Sequence, residues 1–205
     1  MTDLERRLGN PPEAVLDHDR LAESLAARAS GAGLLDIAYA AMDSPVGELT
    51  VFVTPRGLVR LAYENEPLEQ AMAELVERVS PRILRAPART DAARREIEAY
   101  FRGSLRAFGL AIDWSLVRGF AGNVLRAAAE VPFGKVTTYG RLAAKAGSPR
   151  AARAAGNALG SNPIPVVVPC HRVLHADGSL GGYSGGIQRK RFLLELEGTL
   201  PTSVP

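Results

Sequence analysis

The segment Pro169-Cys170-His171-Arg172-Val173 sets the chain's one cysteine beside an imidazole and a guanidinium. A thiolate is a soft nucleophile, and these neighbours are the kind that lower a thiol pKa and yield it. An isolated cysteine is more often a small buried apolar residue; here the neighbours point to chemistry. Adjacent side chains diverge in a regular strand, so a turn or a bridging water is needed for His171 to act on Cys170. Glu197, before Gly198, reads either as a surface carboxylate at a helix end or as a group folded back to orient His171. The run Gly181-Gly182-Tyr183-Ser184-Gly185-Gly186 lacks the Gly-Lys-Ser/Thr ending of a phosphate loop. It reads equally as the wall of a pocket for a flat ligand and as a flexible hairpin tip.

These groups need elements to hold them. Prolines 163, 165 and 169 bracket Val166-Val167-Val168, which predicts a buried extended segment delivering Cys170. Before it, Phe120–Glu130, Thr138–Ala146 and Arg150–Leu159 have helical character. Gly147 suits the end of the second of these, with Ser148 as N-cap and Pro149 in the first turn of the third. Two short helices on a tight Gly-Ser turn make a helix-turn-helix candidate. The third is nearly all alanine and glycine, with Arg150 and Arg153 expected on one face. It reads either as a DNA-contacting helix or as a close-packed internal one. Arg189–Glu197 reads as a closing helix.

The first half has a different period. Strands are predicted at Ile37–Tyr39, Leu49–Thr54 and Leu58–Tyr63, joined by turns at Asp43–Gly47 and Pro55–Gly57, giving an antiparallel meander. Helical spacing follows over 67–79 and over 90–102, the latter bounded by Thr90 and Gly103. An amphipathic helix from Pro12 to about Ser30 carries Val15, Leu16, Leu21, Leu25 and Ala26.

Composition narrows the class. The formal charge of +3 over 205 residues conceals an asymmetry. Residues 1–113 hold 14 Lys+Arg against 18 Asp+Glu, a net of −4, and residues 114–205 hold 11 against 4, a net of +7. A basic half suggests a polyanion, of which nucleic acid is the commonest. One cysteine excludes an intrachain disulfide, a cysteine-rich zinc motif and a CxxC redox pair. No apolar run approaches a membrane span, and the first residues lack a secretory h-region, so no membrane association and a cytoplasmic setting are expected.

Beyond these local readings, Pro169–Val173 resembles the active-site motif of the O6-alkylguanine-DNA alkyltransferases. Val131–Tyr139 resembles that family's lead into its helix-turn-helix, and Ser148–Ala154 its recognition helix. Asn162-Pro163 is similar to its asparagine hinge, Gly182–Gly186 to its substrate loop, and Glu197-Gly198 to its closing pair. Order and spacing agree over 120–198, and the 43–63 meander resembles the N-terminal domain. Residues 1–35 lie outside the resemblance. Leu125 stands where many members have tryptophan.

The resemblance implies an α+β protein. An N-terminal extension (1–35) would precede a small ribonuclease-H-like domain (36–113) with an antiparallel sheet. A mainly helical domain (114–200) with the helix-turn-helix and a short tail (201–205) would follow. It implies Cys170 as alkyl acceptor, with His171 taking its proton through a water and Glu197 behind it. Asn162 braces the hinge, and Tyr139 donates toward guanine N3. Val173, Tyr183 and Ser184 line the base pocket. Thr138, Arg150, Ala151 and Ala152 contact DNA, and Arg153 fills the gap left by the flipped nucleotide. The implied partner is duplex DNA, bound through its minor groove by a monomer, with O6-alkylguanine and also O4-alkylthymine as lesions. Neither cofactor nor metal is implied. The competing readings are a lesion-binding protein without repair activity and a Cys-His-Glu hydrolase.

Overall fold

The computed structural model describes residues 18–200. The first turn of the helix expected from Pro12 and the tail 201–205 lie outside the described residues. Helix α1 (His18–Gly31) buries Ala26 against Leu35, Ala38 and Ala86, while Leu21 and Leu25 face solvent.

Strands β1 (Ile37–Met42), β2 (Leu49–Thr54) and β3 (Gly57–Tyr63) form the expected antiparallel meander. The first turn is closed by Ser44, whose Oγ accepts from Val46 N–H and donates to the Gly47 carbonyl. After α2 (Leu68–Arg78) a fourth strand, β4 (Ile83–Arg85), adds in parallel beside β1, giving the order β3-β2-β1-β4. Three residues carry too little alternation for β4 to be read from sequence. Helix α3 (Pro87–Phe101) starts earlier than expected. Pro87 occupies its first turn, and Thr90 is not the cap but a buried first-turn residue donating to the Pro87 carbonyl at 2.8 Å.

A 3-10 turn (Trp114–Leu116), capped by Asp113, leads into α4 (Gly119–Ala129). Strand β5 (Thr137–Thr138) opens α5 (Tyr139–Lys145), and Thr138 caps that helix by accepting from Arg141 N–H. Gly147, at φ +89°, turns the chain as expected. The next helix, α6 (Ala152–Gly160), starts later than the sequence suggested. Ser148 is not its N-cap: its carbonyl accepts from Ala151 N–H, so residues 148–151 form a turn that also carries Arg150. Arg150 and Arg153 therefore do not share a helical face. A 3-10 turn (Cys170–Arg172) and β6 (Val173–Leu174), paired in parallel with β5, precede the last helix, α7 (Ile187–Leu196).

The valine run departs from the extended segment predicted. Val168 N–H bonds the Ile164 carbonyl and Val167 N–H that of Pro165, folding the chain into consecutive turns. Prolines on both sides leave it no ladder to join. Val166 sits at φ +71°, the one non-glycine residue at positive φ among the described residues. A β-branched residue is strained there, and complete burial holds it.

One apolar core joins both halves. It runs from Leu49, Val51 and Leu61 in the sheet through Ile97 on α3 to Val124, Leu125, Val168 and Leu193. Leu125 is wholly buried, so an aliphatic side chain fills this place. Leu61 N–H also bonds the Pro163 carbonyl at 2.8 Å, tying the sheet edge to the hinge. No helix among the described residues is long and apolar enough to cross a membrane.

Candidate active site

The 3-10 turn over Cys170–Arg172 is the turn that the adjacent Cys and His required. It sends the Cys170 side chain toward Asn162 and those of His171 and Arg172 toward Glu197. His171 is wholly buried, and its Nε2 lies 2.9 Å from Glu197 Oε1. Glu197 is 5 % exposed, which excludes the surface-carboxylate reading. It also accepts from Arg172 Nε (2.9 Å) and Nη2 (2.8 Å), from Tyr100 Oη (2.7 Å) and from Gly134 N–H (3.3 Å). Arg172 further donates to the Val131 carbonyl.

Burial alone would raise the Glu197 carboxyl. Hydrogen bonds from His171 and Arg172, and their charges, outweigh it and hold the group at about 2. An ionised carboxylate only accepts, so Nε2 carries the hydrogen. The His171 pKa is lowered by burial, with Arg172 and Lys190 adding to it against Glu197. His171 is then neutral at pH 7, with a basic lone pair on Nδ1, a buried atom with no hydrogen-bond partner among the described residues.

Cys170 is 4 % exposed. Its Sγ accepts from Asn162 Nδ2 at 3.1 Å; the same amide donates to the Val168 carbonyl, and its Oδ1 accepts from Ile164 N–H. Asn162 thus braces the strained Val166 turn and touches the sulfur. The expectation of a lowered thiol pKa is overturned. Burial pushes it up to about 11 against the smaller opposing effects of Asn162 and Lys190, and Arg172 is committed to Glu197.

The sulfur lines a cleft of about 590 Å³, walled by Tyr139, Gly156, His175, Tyr183 and Ser184, with exposed Arg153 and half-buried Ala152 at its edge. Val173, expected to line the pocket, does not line this cleft: it is fully buried and paired with Thr137. A Cβ on Gly181 would stand 2.1 Å from Tyr139 Oη, so any larger residue there would have to displace that hydroxyl. The structure therefore brings Cys170, His171, Glu197, Asn162, Tyr139, Tyr183, Ser184 and Arg153 around one centre. Thr138 and Ala151 cap α5 and α6, and Arg150 lies exposed on the turn between those helices.

Three contributors were not foreseen. Tyr100 reaches Glu197 from α3, across the core. Lys190, wholly buried, donates from Nζ to the Val173 (2.7 Å) and Gly181 (3.2 Å) carbonyls, stapling the active-site strand to the loop. Burial lowers its pKa to about 8. Between Arg189 and Arg191 it reads in sequence as one more solvated cation. His175 lies against the Tyr139 ring, centroids 5.3 Å apart; the Cys-His-Arg motif ends before it, and no signal pointed to it.

A helix-turn-helix thus stands beside a buried cysteine, with a histidine and a carboxylate held behind it, on a core shared with the N-terminal sheet. Comparison with known proteins agrees over nearly the whole described length. Residues 37–114 match the ribonuclease-like domain of 6-O-methylguanine DNA methyltransferase, and residues 119–199 match its DNA binding domain. The methylated-DNA–protein-cysteine methyltransferase of Mycobacterium bovis is 41 % identical over 163 residues, covering 78 % of this chain and 92 % of that protein. The crystal structure of the Mycobacterium tuberculosis O6-methylguanine methyltransferase is 38 % identical, with a TM-score of 0.68 over 82 % of this chain and 96 % of that one. A structure from the same organism in complex with DNA has the same identity and TM-score, covering 80 % and 96 %. The chain belongs to the 6-O-methylguanine DNA methyltransferase family.

Proposed function

We propose that this protein repairs DNA by transferring the alkyl group of O6-alkylguanine irreversibly to Cys170. The observation that carries the reading is the cysteine itself: buried, touched by Asn162, and facing a cleft at whose edge the helix-turn-helix presents Arg153. Its relatives' names, and the related structure solved with DNA, support DNA as the partner.

The target atom is inaccessible within a stacked duplex, so the nucleotide flips into the cleft and Arg153 fills the space it leaves. The small-residue face of α6 permits close approach to a minor groove, with contacts from Thr138, Arg150, Ala151 and Ala152. In the cleft, the Cys170 proton passes through a water to neutral His171, and the imidazolium is stabilised by Glu197. The Sγ lone pair forms a bond to the alkyl carbon, and the carbon–O6 bond breaks with its electrons moving into the base. Tyr139 protonates N3, so guanine leaves neutral; the proton taken by His171 balances the one Tyr139 later regains from solvent. Tyr183 and Ser184 wall the pocket. The same geometry accepts O4-alkylthymine. The thioether formed has no labile bond and does not exchange with thiols, so Cys170 is not regenerated and each molecule acts once.

Incubation with a duplex containing O6-methylguanine, followed by mass measurement, tests the reading. The wild type gains one methyl mass and Cys170→Ala none. Methyl gain by Cys170→Ala overturns the assignment, and tight lesion binding by wild type without mass gain establishes a lesion-binding protein instead. Turnover of an ester beyond one equivalent would mark a hydrolase.

A further inference from the structure

We propose that Tyr63, the last residue of β3 in the N-terminal sheet, is a positioning residue for the base pocket, clamping Tyr183 and so fixing the loop that walls the cleft. The inference rests on the reading of that cleft as the site of the flipped base. Tyr63 Oη lies 2.7 Å from Tyr183 Oη, and the rings meet edge to face with centroids 6.2 Å apart. Tyr63 is 5 % exposed, whereas Tyr183 is half-buried and lines the cleft beside Cys170.

The rest of the loop is drawn to the same point. A Cβ on Gly185 would stand 2.6 Å from Tyr63 Cε2, so the loop backbone lies directly on the ring. Arg189 spreads its guanidinium over the Tyr63 ring, 4.9 Å from its centroid. From there it donates to the Gly185 carbonyl (2.9 Å), the Val46 carbonyl (2.6 Å) and Glu64 Oε1 (2.7 Å). The 183–186 end of the loop is thus gripped by Tyr63 and Arg189, while Lys190 holds Gly181 at its start, and the anchors outside the C-terminal half lie in the first turn and at or just beyond the end of β3. Burial, above all, holds both phenols protonated. One hydroxyl donates to the other, and one hydroxyl hydrogen is left over for a further acceptor.

A pocket wall held in place before binding matters most to a ligand with nothing else to orient it. A base flipped from a duplex is delivered by phosphate contacts and Arg153; a free modified base has only the pocket. Tyr63→Phe removes the hydroxyl while keeping the ring under Arg189. Loss of one such hydrogen bond is expected to slow alkylation by free O6-benzylguanine about tenfold and by an O6-methylguanine duplex less than about threefold. Tyr183→Phe removes the same bond from the loop side, without touching the sheet, and Tyr63→Phe/Tyr183→Phe should be no slower than Tyr183→Phe alone. Melting temperatures of all three variants are measured alongside. A Tyr63→Phe protein as fast as wild type on the free base, equal slowing on both substrates, or multiplying losses in the double variant would overturn the clamp. A wild-type protein that gains no methyl from the duplex overturns the reading of the cleft, and the clamp with it; wild-type transfer from both substrates with an unaffected variant overturns the clamp alone.

Discussion

At the scale of single residues, the arrangement keeps the Cys170 thiol protonated. The thiol sits at about 11, above its ordinary value, because burial outweighs the Asn162 contact. Labelling of Cys170 by iodoacetamide in the free protein should be slow at pH 7 and rise about tenfold per pH unit toward pH 10, since only the thiolate reacts. A plateau below pH 9 would contradict the raised value. Lys190 offers a second test. Its two carbonyl acceptors are buried, so Lys190→Met strands them and should lower stability by about 2–4 kcal/mol, measured by denaturant unfolding. The pH dependence has a definite sign. The Lys190 pKa is depressed in the folded protein, so its ionised form costs stability below about pH 8. That cost is relieved as pH rises from 8 toward 10.5, and Lys190→Met should lack the rise.

At the scale of elements, what could be read in advance was whatever the chain decides locally. The turns at Ser44 and Gly147, the meander strands and the adjacency of Cys170 to His171 follow from residue types a few positions apart. The helix starts at Pro87 and Ala152 did not follow, because Thr90 and Ser148 had the right chemistry for caps but were placed inside a first turn and before a turn. β4 exists only through pairing with β1, and the valine run turns because Asn162 and two prolines outcompete strand propensity. In the site, the residues of the 162–197 motifs were legible. Tyr100, Tyr63 and Lys190 were not, since their partners lie far along the chain or on a face that sequence cannot assign. Helix α6 also sets a test at this scale. Arg153→Ala should impair repair of duplex O6-methylguanine more than transfer from free O6-benzylguanine, measured as the ratio of the two rates, the opposite of the pattern expected for Tyr63→Phe. Equal losses would count against a role in flipping.

At the scale of the whole molecule, charge and packing divide the labour. The −4 and +7 halves point the helix-turn-helix end toward a polyanion, so the logarithm of duplex affinity should fall linearly with the logarithm of salt concentration in a binding titration. An affinity indifferent to salt would remove phosphate contact from the account. The packing has a different consequence. Because Leu49, Ile97 and Tyr100 lie in the same core as Val168, Cys170 and Leu193, parting the two halves would bare apolar surface on each. A cut near residue 113 would also strip the carboxylate behind His171 of its Tyr100 partner as surely as deleting that residue.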